Sequence, residues 1–143
     1  MAFLVGVILA LSIAVFASVV GLDRDRAFYP TVMIVIALHY ALFAVMGGST
    51  QALMIECLAI VAFVAASVAG FKVSLWFVVA ALAAHGMFDS VHGELIANPG
   101  VPAWWPAFCL AYDVTAAAYL AWLLSRRKLR ALAQVLGKGK AAV

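Results

Sequence analysis

Charged residues are scarce in this sequence. Asp, Glu, Lys and Arg make up 10% of its 143 residues, whereas 69% are hydrophobic, and the mean hydropathy is +1.17. A soluble domain of this size has too little interior to bury so much apolar surface. The scarcity of charge therefore excludes a soluble domain and predicts an integral membrane protein. The net charge of +3 does not indicate a nucleic-acid partner, because membrane topology accounts for the placement of the basic residues.

Cysteine is scarce as well. The two cysteines, Cys57 and Cys109, both lie within apolar segments, which excludes the disulfide framework of a small secreted protein. Basic residues are absent before the first apolar run, residues 2–20, which is also longer than the apolar region of a typical signal peptide. We therefore expect this run to remain as a membrane span rather than to be cleaved.

Five apolar runs are long enough to cross a bilayer as helices. Their predicted spans are residues 2–20, 29–46, 51–69, 73–92 and 104–125. The predicted fold is therefore all-α, a single domain of five transmembrane helices at residues 1–125. A basic tail follows at residues 126–143, and we expect it to form an amphipathic helix on the cytoplasmic surface of the membrane.

The basic residues predict the orientation of these helices. With the N-terminus outside and the C-terminus in the cytoplasm, Arg24, Arg26, Lys72 and the six basic residues of the tail all lie on the cytoplasmic side. This arrangement accounts for all nine lysines and arginines and satisfies the positive-inside rule. Four spans, with the first one removed, would give the same orientation for the rest.

The fourth predicted span carries an unusual group of polar residues. His85, Asp89 and His92 are spaced at i, i+4 and i+7, so on a helix they fall within an arc of roughly 60°. Ionisable groups are costly in a membrane helix, so they usually face the bundle interior and serve a function. The stripe therefore predicts that the chemistry of this protein lies in the outer half of the fourth helix.

Other titratable residues of the spans are predicted to lie at a similar depth. Counting ~1.5 Å per residue from the helix ends places them in one slab in the outer half of the bilayer. Besides the three residues of the stripe, they are His39, Glu56, Cys109 and Asp113. The inner half offers few polar groups to match, whereas a conducting path needs polar groups or water from one face to the other. The pattern indicates a site rather than a channel.

Histidine and aspartate together are typical ligands of zinc or iron in sites that keep an open position. The predicted metal ligands are His39, His85, Asp89, His92 and Asp113, with Glu56 and Cys109 as additional candidates. Zinc is expected rather than iron. The alternative is that the same residues hydrogen-bond to one another and only lock the helices together, and that Cys109 is a small buried apolar residue.

The order of these residues resembles an uncharacterised family of small bacterial integral membrane proteins. The resemblance covers roughly residues 80–122 and consists of His85-x3-Asp89-x2-His92, then Asn98-Pro99 and Pro102, then Cys109-x3-Asp113. It implies a location in the bacterial cytoplasmic membrane but no activity, since the family has none established. A fainter similarity of site type links the chain to membrane hydrolases of the alkaline-ceramidase type, which use histidines, an aspartate and a serine in a helical bundle.

The leading functional hypothesis is a metal-dependent membrane enzyme, a hydrolase that acts on a lipid or small amphiphile from the outer side. In it, His39, His85 and Asp113 hold the metal, Asp89 or His92 acts as general acid or base, and the metal activates a water molecule. Two alternatives stay open: a metal- or haem-binding protein without catalysis, and an accessory subunit of a larger membrane complex. Glycine and alanine on the helix faces also allow a homo-oligomer.

Overall fold

The structure is a bundle of helices. The computed structural model describes the backbone of residues 1–141 and the side chains of residues 1–129, and within these the chain contains no β-strand. A short 3-10 turn and five α-helices make up the chain: α1 (Ala2–Val20), α2 (Phe28–Met46), α3 (Thr50–Lys72), α4 (Trp76–Leu95) and α5 (Trp105–Ala141). Four of them, α1, α2, α3 and α5, are long and apolar enough to cross a membrane, as expected of an integral membrane protein.

The fifth helix is longer than the sequence indicates. The predicted span ends at residue 125 and is followed by a separate tail, whereas α5 continues without interruption to Ala141. The sequence after Ser125 contains no proline and begins with residues that favour helices, so nothing stops the helix there. The predicted attachment of the tail to the membrane surface falls mostly on side chains beyond residue 129, which lie outside the described residues.

The helices do not pack in chain order. Helix α5 contacts α1 on one side and α4 on the other, while α2 packs on α3 and α3 packs on α4. Small residues allow the first of these contacts, because Gly6, Ala10, Ala14 and Ala17 are the buried residues of α1. A Cβ at Gly6 would collide with the carbonyl oxygen of Phe108, so only glycine lets the two backbones approach this closely. The small-residue face of α1 is thus used within the chain.

Large apolar side chains cover the outside of the bundle. Leu58 and Val61 of α3, for example, are both more than half exposed. The interior is filled by other apolar residues, among them Met33, Leu82 and Leu120. A soluble monomer rarely exposes so extensive an apolar surface, whereas lipid chains cover such a surface without cost.

The loop between α4 and α5 packs tightly against the C-terminal end of α2. Gly100 lies against the carbonyl oxygen of Phe43, and Gly47 lies against Gly100, so a Cβ at either glycine would collide with backbone atoms. This close approach carries Asn98, in the same loop, into the bundle, where its side chain is buried. The loop therefore supplies a polar side chain to the interior.

We expect Gly100→Ala to destabilise the bundle. The added methyl group would collide with the backbone of Phe43, and overpacking of this kind costs about 1–3 kcal/mol. Gly93→Ala is the matched control, because Gly93 lies within α4 with open space where a Cβ would stand. There alanine should be neutral or stabilise by up to ~1 kcal/mol. Thermal unfolding in detergent measures both effects, and equal melting temperatures would show that the loop does not pack as described.

Candidate metal centre

Three of the predicted site residues lie on the buried face of α4. His85, Asp89 and His92 are each at most 2% exposed, and α4 packs between α3 and α5. Their spacing of i, i+4 and i+7 therefore faces the bundle interior, as the sequence indicates. Toward the N-terminal end of α4 the buried residues are apolar, among them Val78 and Leu82. The polar groups are thus confined to the C-terminal half of this helix.

His85 joins α4 to α5. Its Nδ1 lies 2.7 Å from Oδ2 of Asp113 and 3.4 Å from Oδ2 of Asp89, so one ring nitrogen faces two carboxylates. Gly86 helps this approach, because a Cβ there would lie only 3.3 Å from the Cβ of Asp113 and from the carbonyl oxygen of Leu110. An imidazole nitrogen between two carboxylates either donates a hydrogen bond or binds a metal ion that the carboxylates share.

Cys109 completes a group of four residues. Its Sγ lies 3.8 Å from Oδ2 of Asp113, one turn further along α5. Donor atoms of His85, Asp89, Cys109 and Asp113 all lie within 4.8 Å of one another, and all four residues are buried. These residues are the four-residue cluster. Nitrogen, oxygen and sulfur donors that converge in this way form a donor set that zinc accepts.

Tyr40 supports the four-residue cluster from α2. Its side chain is buried, and its hydroxyl group donates a hydrogen bond to Oδ1 of Asp89 at 2.5 Å. Ligand chemistry alone favours its neighbour His39, because histidine is the commonest metal ligand. What indicates Tyr40 is instead its position inside an apolar helix, because a buried tyrosine usually finds a hydrogen-bond partner for its hydroxyl group.

A second polar group lies beside the cluster, toward the C-terminal end of α4. Nε2 of His92 lies 2.7 Å from Oε1 of Glu56 on α3. Asn98 donates from Nδ2 to the same Oε1 at 2.9 Å and to the carbonyl oxygen of Tyr40 at 3.1 Å. The rings of Tyr40 and His92 stack with their centroids 4.0 Å apart. Tyr40 therefore contacts both polar groups and holds them together.

His39 joins neither of these polar groups. Its Nδ1 donates a hydrogen bond to the carbonyl oxygen of Val35 at 2.8 Å, and its ring stacks on Trp105 with the centroids 5.0 Å apart. Neighbouring positions on a helix point ~100° apart, so when Tyr40 faces the interior, His39 faces away from the cluster. The predicted role of His39 as a metal ligand has no counterpart in this arrangement.

Four of the seven predicted ligands converge and three do not. The three outside the four-residue cluster are His39, Glu56 and His92. Counting residues from the helix ends places all seven in the outer half, with Asp89, Cys109 and Glu56 one turn outward of His39, His85 and Asp113, and His92 near the outer surface. Which of these residues contact one another depends on how each helix is rotated about its own axis. The rotations of α3 and α4 bring Glu56 and His92 together.

The buried carboxylates have histidine but no lysine or arginine as a partner. Glu56, Asp89 and Asp113 are each at most 1% exposed, and no lysine or arginine occurs at residues 27–71 or 73–125. One oxygen of each has no hydrogen-bond partner among the described residues, namely Oε2 of Glu56, Oδ2 of Asp89 and Oδ1 of Asp113. An uncompensated buried charge is strongly destabilising, so compensation has to come from protonation or from a bound cation.

An open pocket lies at the C-terminal end of α4. Its volume is about 610 Å³, and its walls include His92, Asn98 and other residues of the α4–α5 loop. His92 stacks on Tyr40, and Tyr40 donates to Asp89, so a row of packed polar side chains joins this pocket to the four-residue cluster. The pocket itself ends at His92, since none of the four cluster residues lines it.

Comparison with protein-family models, with curated proteins and with solved structures gives no match for this chain. The resemblance to small bacterial membrane proteins, and the similarity of site type to alkaline-ceramidase-type hydrolases, stay predictions from the order of residues. The function has to be argued from the geometry and chemistry of the site itself.

Proposed function

We propose that this protein is a metal-dependent membrane hydrolase that acts on a lipid or small amphiphile. The observation that carries the proposal is the four-residue cluster, in which two buried carboxylates and one imidazole converge and no lysine or arginine occurs at residues 73–125. A divalent cation balances the charges of Asp89 and Asp113, with His85 as a neutral third ligand. Zinc is the proposed metal, because it accepts this mixture of donors and suits a site with an open position.

The donor spacing suits a zinc ion with three protein ligands. Each nitrogen or oxygen donor lies ~2.0–2.2 Å from zinc, so the ligands of a tetrahedral site stand about 3.3–3.6 Å apart. The 3.4 Å between His85 Nδ1 and Asp89 Oδ2 already falls in this range. The 2.7 Å between His85 Nδ1 and Asp113 Oδ2 is a hydrogen-bond distance, which has to widen when a cation replaces the shared proton. Asp113 also has Oδ1, which accepts no hydrogen bond, as an alternative donor to the metal.

Cys109 is assigned as a thiol beside the metal rather than as a fourth ligand. Its Sγ lies within hydrogen-bonding distance of Asp113 Oδ2, so the S–H group has an acceptor. A thiolate would add a third negative charge to the two carboxylates, and the buried site would then stay negative even with a divalent cation bound. Three protein ligands leave the fourth position to water, as in catalytic zinc sites.

Each residue of the site is assigned one role in hydrolysis from its position. Held by His85, Asp89 and Asp113, a zinc ion would supply Lewis acidity and lower the pKa of a water molecule toward neutrality, which is the chemistry that hydrolysis of an ester or amide needs. Addition of that water to the acyl carbon would break the C–O or C–N bond, and the proton of the water would leave with the departing alcohol or amine. Asp89, the predicted general acid or base, has its Oδ1 engaged by Tyr40 and its Oδ2 at the metal site, so we assign it as a ligand rather than as the carrier of that proton. His92, the predicted alternative, is paired with Glu56, so we assign it to the positioning of Tyr40.

The proposed topology places the site in the outer half of the bilayer. With five spans and the N-terminus outside, all lysines and arginines lie in the cytoplasm. Helix α4 has 20 residues and a length of ~30 Å, enough to cross the bilayer while its neighbours shield its polar face from lipid. In this orientation the C-terminal half of α4, with His85 and Asp89, is the outer half. The membrane is the bacterial cytoplasmic membrane that the resemblance implies.

A metal-binding protein without catalysis is the second candidate. The observation that favours it is the fourth donor, because Cys109 lies within 4.8 Å of the other three. Four protein ligands would close the coordination shell and leave no position for water. Whether Cys109 is a thiol beside the metal or a thiolate bound to it therefore distinguishes the two candidates.

Elemental analysis and cobalt substitution of the detergent-purified protein test both candidates. We expect near-stoichiometric zinc, and hydrolysis of single-chain amides or esters that stops on chelation and returns with zinc. The cobalt(II) form of the hydrolase should show no thiolate-to-cobalt charge-transfer absorption. That absorption, if present and lost in Cys109→Ser, would establish the closed site instead. A protein without metal would leave the cluster as helix-packing contacts, as in an accessory subunit.

A further inference from the structure

A cleft open to the lipid separates α1 from α2. The two helices follow each other in the chain, yet within the described residues no backbone contact joins them. The cleft has a volume of about 430 Å³, with Leu9 and Ile13 on one wall and the face of α2 from Phe28 to His39 on the other. Helix α5, from Trp105 to Tyr112, forms its floor. This space is the lateral cleft.

The dimensions of the lateral cleft match one hydrocarbon chain. The distance along α2 from Phe28 to His39 is ~16 Å, about half of the ~30 Å hydrocarbon core, which is the depth of one leaflet. The cleft has a volume of about 430 Å³. It falls within the range of small-molecule pockets, ~300–1,000 Å³.

His39 gives the lateral cleft a polar end. Its Nδ1 lies 2.8 Å from the carbonyl oxygen of Val35, and because a carbonyl oxygen only accepts, this nitrogen carries the proton. The other nitrogen of the neutral ring, Nε2, is then an acceptor. Stacking on Trp105 holds the ring in place. A hydroxyl or amide N–H group of an occupant can donate to Nε2, whereas a plain hydrocarbon has no such group.

Cys109 connects the lateral cleft with the four-residue cluster. It lines the floor of the cleft, and its Sγ lies 3.8 Å from Oδ2 of Asp113. A chain in the cleft, with its polar group near His39, therefore lies on the Cys109 side of the proposed metal site. An amphiphile can reach that site sideways from the bilayer.

We infer that the lateral cleft binds a single-chain amphiphile with a hydroxyl or amide head group. The head group donates to His39, and the chain runs along α2 toward Phe28. The cleft is a single run along one face of α2 with one polar end at His39, which suits one chain with one head group. The role of this ligand as substrate rests on the proposed function, whereas the binding itself does not.

Photolabelling tests the inference. The probe is an N-acyl ethanolamine with a diazirine at mid-chain, added to the protein in phosphatidylcholine nanodiscs. We expect adducts concentrated at residues 28–39 and 105–112. Val35→Trp fills the opening of the cleft and should lower this labelling about tenfold, as loss of a binding site does. Val61→Trp, the same change at an exposed position of α3, should leave the labelling unchanged.

Three results would overturn the inference. Adducts spread evenly over the lipid-facing helices would show that the probe behaves as bulk lipid, and equal labelling of the two tryptophan variants would show the same. A photoreactive residue at position 35 that joins two copies of the chain would make the cleft an interface between copies. Thr31→Trp, one turn along the same wall, repeats the measurement if Val35→Trp does not fold.

Chelation separates this inference from the proposed function. The walls of the lateral cleft do not include His85, Asp89 or Asp113, so labelling should persist when the metal is removed. If the cleft is labelled but the protein binds no metal and hydrolyses no amphiphile, the cleft is a binding site and the proposed hydrolase function is refuted. If the protein hydrolyses an amphiphile but the cleft is not labelled, the proposed function is supported and the cleft is not the binding site of the substrate.

Discussion

Replacement of His85 by alanine is expected to abolish metal binding and hydrolysis together. Nδ1 of His85 is the only nitrogen donor of the four-residue cluster, and it lies 2.7 Å from one carboxylate and 3.4 Å from the other. Even residues that only orient a metal ligand are worth ~10–100-fold in affinity or activity, so loss of the ligand should cost at least ~100-fold in both. The metal-to-protein ratio and the rate of amphiphile hydrolysis measure the two effects on the same preparation.

His39→Ala is the matched control for His85→Ala. It removes a histidine that lies at a similar depth but pairs with Val35 and Trp105 rather than with the cluster. We expect this variant to retain its metal at the wild-type ratio. Zinc that survives in His85→Ala, or zinc that is lost from His39→Ala, would contradict the assignment of the four-residue cluster. The second of these results would restore the ligand set predicted from the sequence.

The largest expected effect on stability comes from Glu56→Ala. Oε1 of Glu56 accepts from Asn98 at 2.9 Å and lies 2.7 Å from Nε2 of His92, and all three side chains are buried. Removal of the carboxylate leaves Nε2 of His92 without its partner in a low-dielectric interior, and leaves Nδ2 of Asn98 with only the carbonyl oxygen of Tyr40. Breaking a buried pair on one side costs about 3–5 kcal/mol, so the free energy of unfolding should fall by that amount. Denaturant titration in detergent measures it.

Glu94→Ala is the control for Glu56→Ala, because Glu94 is the same residue type and is exposed on α4. Its free energy of unfolding should stay within ~0.5 kcal/mol of the wild type. Single interhelical hydrogen bonds in membrane proteins contribute only ~0.6 kcal/mol on average, because the unfolded chain in the membrane finds other partners. A loss of that size in Glu56→Ala would therefore show that His92 and Asn98 find new partners, and that the Glu56–His92 pair does not fix the bundle.

Together the two variants assign different roles to the two polar groups. Loss of metal with modest loss of stability in His85→Ala would mark the four-residue cluster as a site. Loss of stability with metal retained in Glu56→Ala would mark the Glu56–His92 pair as a structural support. Tyr40 contacts both groups, so a change at either one should also alter the environment of Asp89.

Composition and periodicity determined that the chain is a helical membrane protein and where its buried polar residues lie along the sequence. The length and hydropathy of an apolar run are local properties, so five helices lie where the sequence predicts them, with shifts of a few residues at most ends. The spacing of His85, Asp89 and His92 is local as well, and all three are buried as expected. Cys109 and Asp113 follow the same rule, because residues four apart share one face of α5.

Only the tertiary structure decided which of these residues meet. Lipid and bundle interior are both apolar, so hydropathy does not determine the rotation of a membrane helix about its axis. The depth of each residue in the membrane could be counted from the sequence. Which of His39 and Tyr40 faces the bundle interior could not be predicted in this way. Asn98 comes from an irregular loop that has no periodicity to interpret. Contact between the small residues of α1 and α5 is also non-local, and this contact opens the lateral cleft beside the four-residue cluster.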